Sequence, residues 1–390
     1  MAEDKRRNPI LASLSLLCMA ALQGLPFLTI APNRLVSGEP IYFFSAAPGM
    51  AWATAAALLG LGILSFFKPF RPVLFAISVI ALASIPALLW LAAQLASVSL
   101  QSQSPIARAS LSSSFWVALA LLGFIGHSAL QQLQVKAIGM AAAAAGLCLA
   151  LGVLLASGVA SDLSLVKEYA VRADSFGEVV ARHLQIVWLA LAFTLAISLP
   201  LAWFAHVRPA VAKAVFAVLN IVQTIPSIAL FGLLMLPLAL LAASLPALGR
   251  LGVSGVGLAP AVIALTLYGL LPVMRSTLAG LQRVPATMVK AALALGLTRF
   301  QVLAAIELPL ALPIALGGVR VAVVASIGLA AVSALIGAGG LGGILFEGLF
   351  SNAHDVVLLG VLPIIALGVF FDAVFKVLIA WTRRVALPRR

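Results

Sequence analysis

The feature that most limits how this chain can fold is the recurrence of apolar runs about as long as a bilayer is thick. Residues 72–95, 137–158 and 313–335 are examples. Each is close to the ~20 apolar residues that a membrane-crossing helix requires. Inside lipid no water satisfies the backbone N–H and C=O groups, so a segment must pair them as a helix or within a closed barrel. A barrel strand alternates apolar and polar residues strictly, and these runs do not. Charged residues make up only 9% of the 390 and hydrophobic residues 63%. That is too little charge to clothe a soluble fold of this length. The expected fold class is therefore all-α, a polytopic membrane protein with about ten transmembrane helices.

Spans are expected near 10–31, 48–67, 72–95, 114–133, 137–158, 184–205, 214–242, 256–274, 313–335 and 356–379. The first follows Lys5-Arg6-Arg7, as a signal peptide would. Its apolar run is long and no small-x-small cleavage site follows, so it reads as a retained helix. With the N-terminus inside, six basic residues fall outside: Arg34, Arg108, Lys167, Arg172, Arg182 and Arg250. The other eighteen of the 24, Arg320 and Lys376 among them, fall on the cytoplasmic side. This satisfies the positive-inside rule, so both termini are expected to be cytoplasmic. The loops 167–182 and 340–354 are then external, and 281–305 is cytoplasmic. The net charge of +13 thus reflects topology, and no basic patch interleaved with aromatics suggests a nucleic-acid partner.

The chain divides near residue 160. Residues 1–160 form a five-helix membrane extension, and 161–182 an external amphipathic linker with Leu163, Val166, Tyr169, Ala170 and Phe176 at helical spacing. Residues 183–382 hold five further spans. An inverted repeat fits poorly, because only the second half has a long polar insertion and a Gly-rich hairpin. Cys18 and Cys148 lie inside apolar runs and read as small buried hydrophobes. The four histidines lack metal-ligand spacing, so no metal site is expected. His127, alone within a span, is either a functional group or a hydrogen bond between helices.

The insertion 276–312 carries the most specific signal. Leu281–Leu295 is a good helix former, with Ala291 and Ala292 small enough for close approach. Gly296 permits a bend, and Ile306 and Leu308 place branched apolar groups after it. Pro309 and Pro313 suit the start of the next span. Together, Ala291-Ala292, Gly296 and Ile306-Glu307-Leu308-Pro309 resemble the EAA loop of ABC-importer permeases, the elbow that docks on an ATPase. Lys290 stands where that pattern usually begins with Glu. Three more stretches resemble the osmoprotectant branch of type I ABC-importer permeases: Asn220–Gly232, Leu271–Pro285 and the Gly-rich Ile336–Leu349. An N-terminal multi-span extension is found in one subgroup of these permeases.

The resemblance implies a five-helix type I permease core over 183–382, in the inner (cytoplasmic) membrane. It also implies import of glycine betaine, choline, carnitine or related quaternary ammonium solutes. ATPase subunits, a second permease copy or a sister permease, and an external solute-binding protein are the implied partners. Docking would fall to Lys290, Ala291, Ala292, Gly296, Ile306, Leu308 and Pro309. The polar group Asn220, Gln223, Thr224, Pro226 and Ser227 is a candidate pathway lining, with Pro226 opening a kink; packing between permease helices is the alternative. Gly337, Gly339, Gly340 and Gly342 would form an external hairpin. Three of them match a dinucleotide fingerprint, but no strand precedes them, and no phosphate-binding G-x-x-x-x-G-K-[ST] exists in the chain. No cofactor is expected on this chain, and ATP with Mg²⁺ is assigned to the partner ATPase. The rival function, an ion-coupled secondary transporter, calls for carboxylates within spans. Here the acids fall in loops, Asp372 near the last boundary excepted.

Overall fold

Proline and glycine decide where the helices of this chain stop. The computed structural model describes residues 8–33, 36–46, 48–66, 70–250 and 252–386. Two units are distinguished, Met1–Arg172 with Ser351–Asp355, and Ala173–Phe350 with Val356–Arg390.

In the first unit, helix α1 (Pro9–Gly24) starts with Pro9 in the first turn and the Asn8 side chain accepting from the Leu11 N–H at 3.4 Å. Strand β1 (Pro26–Ala31), strand β2 (Glu39–Tyr42), helix α2 (Phe43–Ala46), helix α3 (Pro48–Phe66) and helix α4 (Arg71–Leu100) follow. Strand β3 (Arg108–Leu111), helix α5 (Ser113–Gln132) and helix α6 (Ala137–Ala156) complete the set. The strands form one antiparallel sheet in the order β2-β1-β3, with Leu28 opposite both Ile41 and Leu111. Phe27 packs on Phe43 (centroids 4.7 Å apart) and Phe115 (6.0 Å). Around them Leu11, Leu22, Leu61, Ile77, Leu122 and Ile125 are buried.

The expected first span, 10–31, is thereby corrected. Pro26 cannot donate the N–H that would continue the helix, and the Thr29-Ile30 pair is β-branched. The apolar run therefore continues as a strand, a choice periodicity cannot make for a short apolar segment. Among the described residues eight helices are long and apolar enough to cross a membrane. Seven of them correspond to expected spans, and the eighth, Ser227–Ser244, covers only the second half of the expected 214–242, which is divided into two helices at Ile225 and Pro226. The first two expected spans are represented by shorter apolar helices, Pro9–Gly24 and Trp52–Leu64. His127 bonds Gln131 of its own helix at 2.8 Å.

Helix α7 (Ser164–Val207) runs unbroken for 44 residues. The stretch 161–182, expected as a separate linker, is thus largely the first half of that helix. In the second unit come α8 (Pro209–Thr224), α9 (Ser227–Ser244), α10 (Pro246–Arg250) and α11 (Leu258–Gln282). Then follow α12 (Ala286–Ala294), α13 (Arg299–Val302), a π-turn (Leu303–Glu307), α14 (Leu308–Val332), α15 (Leu341–Phe350) and α16 (His354–Ala386).

The core of the second unit is the α11–α14 pair, and small residues set its closeness. A Cβ on Gly318 would run into the Pro272 carbonyl and the Ser276 side chain, and one on Gly280 would meet Ala311. Buried hydroxyls line the approach of α7 to α11: Thr266 Oγ1 donates to Val262 O at 2.7 Å and Thr194 Oγ1 to Ala190 O at 2.7 Å. Hydroxyls bonded to carbonyls of their own helix can be buried at small cost. Arg320, expected on the cytoplasmic side, lies inside α14 and pairs with Asp372 of α16.

Candidate functional site

The insertion after α11 folds as an elbow whose shape is built from local bonds. Helix α12 ends at Ala294 with Leu295 as its cap, and Gly296 takes φ +89°, a left-handed conformation that glycine adopts without strain. The Gly296 N–H donates to Leu293 O at 3.0 Å and the Leu297 N–H to Ala292 O at 3.2 Å. These two bonds form a Schellman motif, which satisfies carbonyls the helix end would leave open. Two residues on, Thr298 and Gln301 make a capping box that starts α13. The chain enters α14 through the π-turn, so the span begins earlier than position 313.

The elbow sorts the expected docking residues by exposure. Lys290, Ala291, Gly296, Leu308 and Pro309 are exposed, Ile306 is half-buried and Ala292 is buried. Leu295 and Phe300, which flank the bend, are 82% and 74% exposed, with Met288 at 45%. Sequence reasoning chose Ile306 and Leu308 as the apolar knobs and missed these three. Nothing in the apolar pattern of the sequence singles them out, because the turn at Gly296 decides which way Leu295 and Phe300 point. Behind the elbow is a cleft of about 420 Å³ lined by Lys290, Leu293, Arg299, His206 and Glu307. Glu307 is buried, 3.7 Å from His206 Nε2, so it does not present acidity at the surface in place of the missing Glu.

The polar group of 220–227 marks a complete break between α8 and α9, sharper than the expected kink. Ile225 is extended (φ −75°, ψ 125°), and Pro226 caps α9. Tyr268 of α11 donates its hydroxyl to the freed Ile225 carbonyl. Gln223 Nε2 donates to the Tyr268 carbonyl at 2.8 Å, and Thr224 Oγ1 to Ile221 O at 2.7 Å. Asn220 Oδ1 accepts from Arg275 Nη2 at 3.4 Å. Asn220, Gln223, Thr224 and Pro226 are exposed and Ser227 is half-buried, so the break presents a polar strip on an otherwise apolar surface.

The glycines of 337–342 also come together in one turn. Gly337, Gly339 and Gly340 all have positive φ, and at Gly342, the second residue of α15, a Cβ would run into the Ala331 carbonyl. The turn lies on α7: Arg182 Nε donates to Ala338 O at 3.0 Å, and a Cβ on Gly340 would press on His183. The Ile336 carbonyl also accepts from the Gly257 N–H at 2.7 Å. A 3-10 turn at Ser333–Ile336 following α14, not a β-strand, leads into this turn, so the dinucleotide reading of its spacing has no structural basis. Among the described residues no group of acidic, His or Cys side chains could hold a metal.

Comparison with known proteins gives these features a family. The family described as "Binding-protein-dependent transport system inner membrane component" matches residues 189–384, half of the chain. That described as "ABC transporter permease YehY, N-terminal domain" matches residues 6–166. The carnitine transport permease protein OpuCD of Listeria monocytogenes serotype 1/2a (strain 10403S) is 32% identical over 225 residues, 57% of this chain and 92% of that protein. The osmoprotectant import permease protein OsmW of Salmonella typhimurium (strain LT2) is 38% identical over 191 residues, 49% of this chain and 84% of that protein. A solved structure of the MetNI methionine ABC transporter in an inward facing conformation aligns with 52% of this chain and 95% of its own. Its identity is 22% and its TM-score 0.43. The chain belongs to the family of binding-protein-dependent transport system inner membrane components. It is a multi-pass membrane permease of the ABC importer class, a family that works with an ATPase and a solute-binding protein.

Proposed function

We propose that this permease passes glycine betaine, choline, carnitine or a related quaternary ammonium solute inward, driven by ATP hydrolysis on a separate subunit. The observation that carries the reading is the elbow, in which a rigidly capped bend displays Leu295, Phe300, Met288 and Lys290 on a chain of osmoprotectant-permease relatives. Exposed apolar groups flanking a fixed turn are what a partner's groove can grip. Lys290, Ala291, Gly296, Leu308 and Pro309 would contribute the rest of that surface, with half-buried Ile306 at its edge and Ala292 bracing the elbow from beneath. The polar strip at the α8–α9 break would line the solute path once a second permease, identical or sister, covers it. The Gly337–Gly342 turn would face the external binding protein. ATP and Mg²⁺ would stay on the ATPase.

An ion-coupled carrier is the rival because Asp372 lies within α16. That carboxylate already has two cations, Arg320 Nε at 2.5 Å and Lys376 Nζ at 2.8 Å, so it is not free to load and release an ion. The deciding experiment is uptake of labelled glycine betaine, choline and carnitine into vesicles holding the chain with its ATPase and binding protein. Uptake of at least one solute should need both ATP and the binding protein. Uptake that survives their omission and collapses with an ionophore would sink the proposal.

The membrane orientation is tested separately. In a variant lacking both native cysteines, single cysteines at Ser175 and Ala294 should react with an impermeant thiol reagent from opposite faces. The expectation follows from the distribution of Lys and Arg. Labelling of both from one face would refute the topology.

A further inference from the structure

Helices α11, α14 and α16 leave between them a cavity of about 540 Å³. Its wall carries four cationic side chains, Arg283, Arg320, Lys376 and Arg383. One carboxylate answers them: Asp372 holds both Arg320 and Lys376. Among the described residues neither Arg283 nor Arg383 has an acidic partner. The remaining wall is small and apolar, including Ile314, Gly317, Ile379 and Ala380. A Cβ at Gly317 would meet nothing within 4 Å, so the cleft owes part of its room to that glycine.

A pocket whose Arg283 and Arg383 guanidinium groups have no acidic partner among the described residues, with an apolar wall, suits an anion that carries an apolar body. Its position narrows the choice. Arg283 follows the last residue of α11, and Arg383 lies in the last turn of α16. Beside Arg383, Trp381 is 63% exposed, and Leu378 and Val377 are exposed one turn earlier. An uncovered Trp adjoining cations at the end of an apolar span marks headgroup depth in a bilayer. Guanidinium groups pair with phosphate oxygens two at a time, and basic pockets between membrane helices hold anionic headgroups. A solute bearing a fixed positive charge would be repelled by the same four cations.

We propose that this cleft binds the phosphate headgroup of an anionic phospholipid, with Arg283 and Arg383 gripping the phosphate and the acyl chains lying along the apolar wall of Ile314, Ile379 and Ala380. The site shares Arg283, the first residue after α11, with the insertion that forms the elbow, but none of the exposed residues around Gly296 and none of the α8–α9 break, and it does not depend on which solute is transported. Arg320 and Lys376, held by Asp372, set the floor of the cleft and its positive field.

The test is native mass spectrometry of the purified full-length chain with added phosphatidylglycerol or phosphatidylcholine of matched acyl chains. The chain should retain phosphatidylglycerol about tenfold better or more. Arg283→Gln/Arg383→Gln should lower that retention to the phosphatidylcholine level. Arg250→Gln, a distant surface cation, should leave it unchanged. Gly317→Leu, which fills the cleft without touching a charge, should weaken retention as well, so the outcome does not hang on one variant folding. Equal retention of the two lipids, or full retention by both cleft variants, overturns the proposal. Displacement of the lipid by millimolar inorganic phosphate would instead assign the cleft to a soluble anion. Loss of co-purified ATPase with lipid preference intact would assign the arginines to a protein interface. Either result also overturns it.

Discussion

Replacing Gly296 by leucine is expected to leave the protein folded in the membrane and to lower ATP-driven solute uptake about tenfold or more. The cause lies in the backbone. Gly296 has φ +89°, while nothing within 4 Å would obstruct a side chain there. Leucine would fit the space but not the conformation, at roughly 1–3 kcal/mol of strain for a non-glycine residue in such a region. The elbow would relieve that strain by unmaking the Gly296–Leu293 and Leu297–Ala292 bonds, which would re-aim Leu295 and Phe300. Asparagine, which tolerates left-handed backbone better than other residues, should retain most of the activity. Equal losses in the leucine and asparagine variants would mean that the ATPase needs a bare backbone at position 296, whatever the bend. Normal uptake in the leucine variant would remove the elbow from the coupling scheme.

A neighbouring pair of glycines should respond in opposite ways. Gly318→Leu is expected to lower the thermal midpoint of the detergent-purified chain by several degrees or to prevent its accumulation. Gly317→Leu should change that midpoint little. At Gly318 the first added carbon already meets the Pro272 carbonyl and Ser276 across the α11–α14 contact, and neither is the far end of a flexible side chain. Forcing the helices apart there disturbs the buried face of α14 at Val319, Ala322, Val323 and Ile327, and overpacking of this kind costs about 1–3 kcal/mol or more. Gly317 points into the open cleft instead. Similar midpoints for the two variants would mean that α11 and α14 slide apart freely, contrary to close packing as the organiser of this unit.

The chain announces its membrane spans plainly, because crossing lipid demands long apolar runs and little else. What it conceals are choices among conformations with the same apolar content. The run 10–31 looks like one helix, yet Pro26 ends helical pairing and the next residues find strand partners at Glu39–Tyr42 and Arg108–Leu111. Nothing near Pro26 in sequence reveals those partners. The bend at Gly296 was legible because few other residues could take it. The exposure of Leu295 and Phe300 was not, since an apolar residue beside a cap points wherever the turn directs it. The break at 225–226 was signalled by Pro226, but its completion depends on Tyr268, 43 residues away. Arg320 and Asp372, 52 residues apart, could be recognised as partners only once α14 and α16 lay side by side.

The elbow also has a consequence for the timing of assembly. Every bond that shapes it, from Ala292 through Gln301, closes within six residues of chain. Its form is therefore inherited from the sequence alone, and no second molecule is required to mould it. A surface made this way meets its counterpart as a finished plug meets a socket. The ordering entropy has been spent during folding, so association loses little to rearrangement. Changes in those ten residues should consequently be felt first as a slower or misdirected encounter, before any loss of the membrane fold.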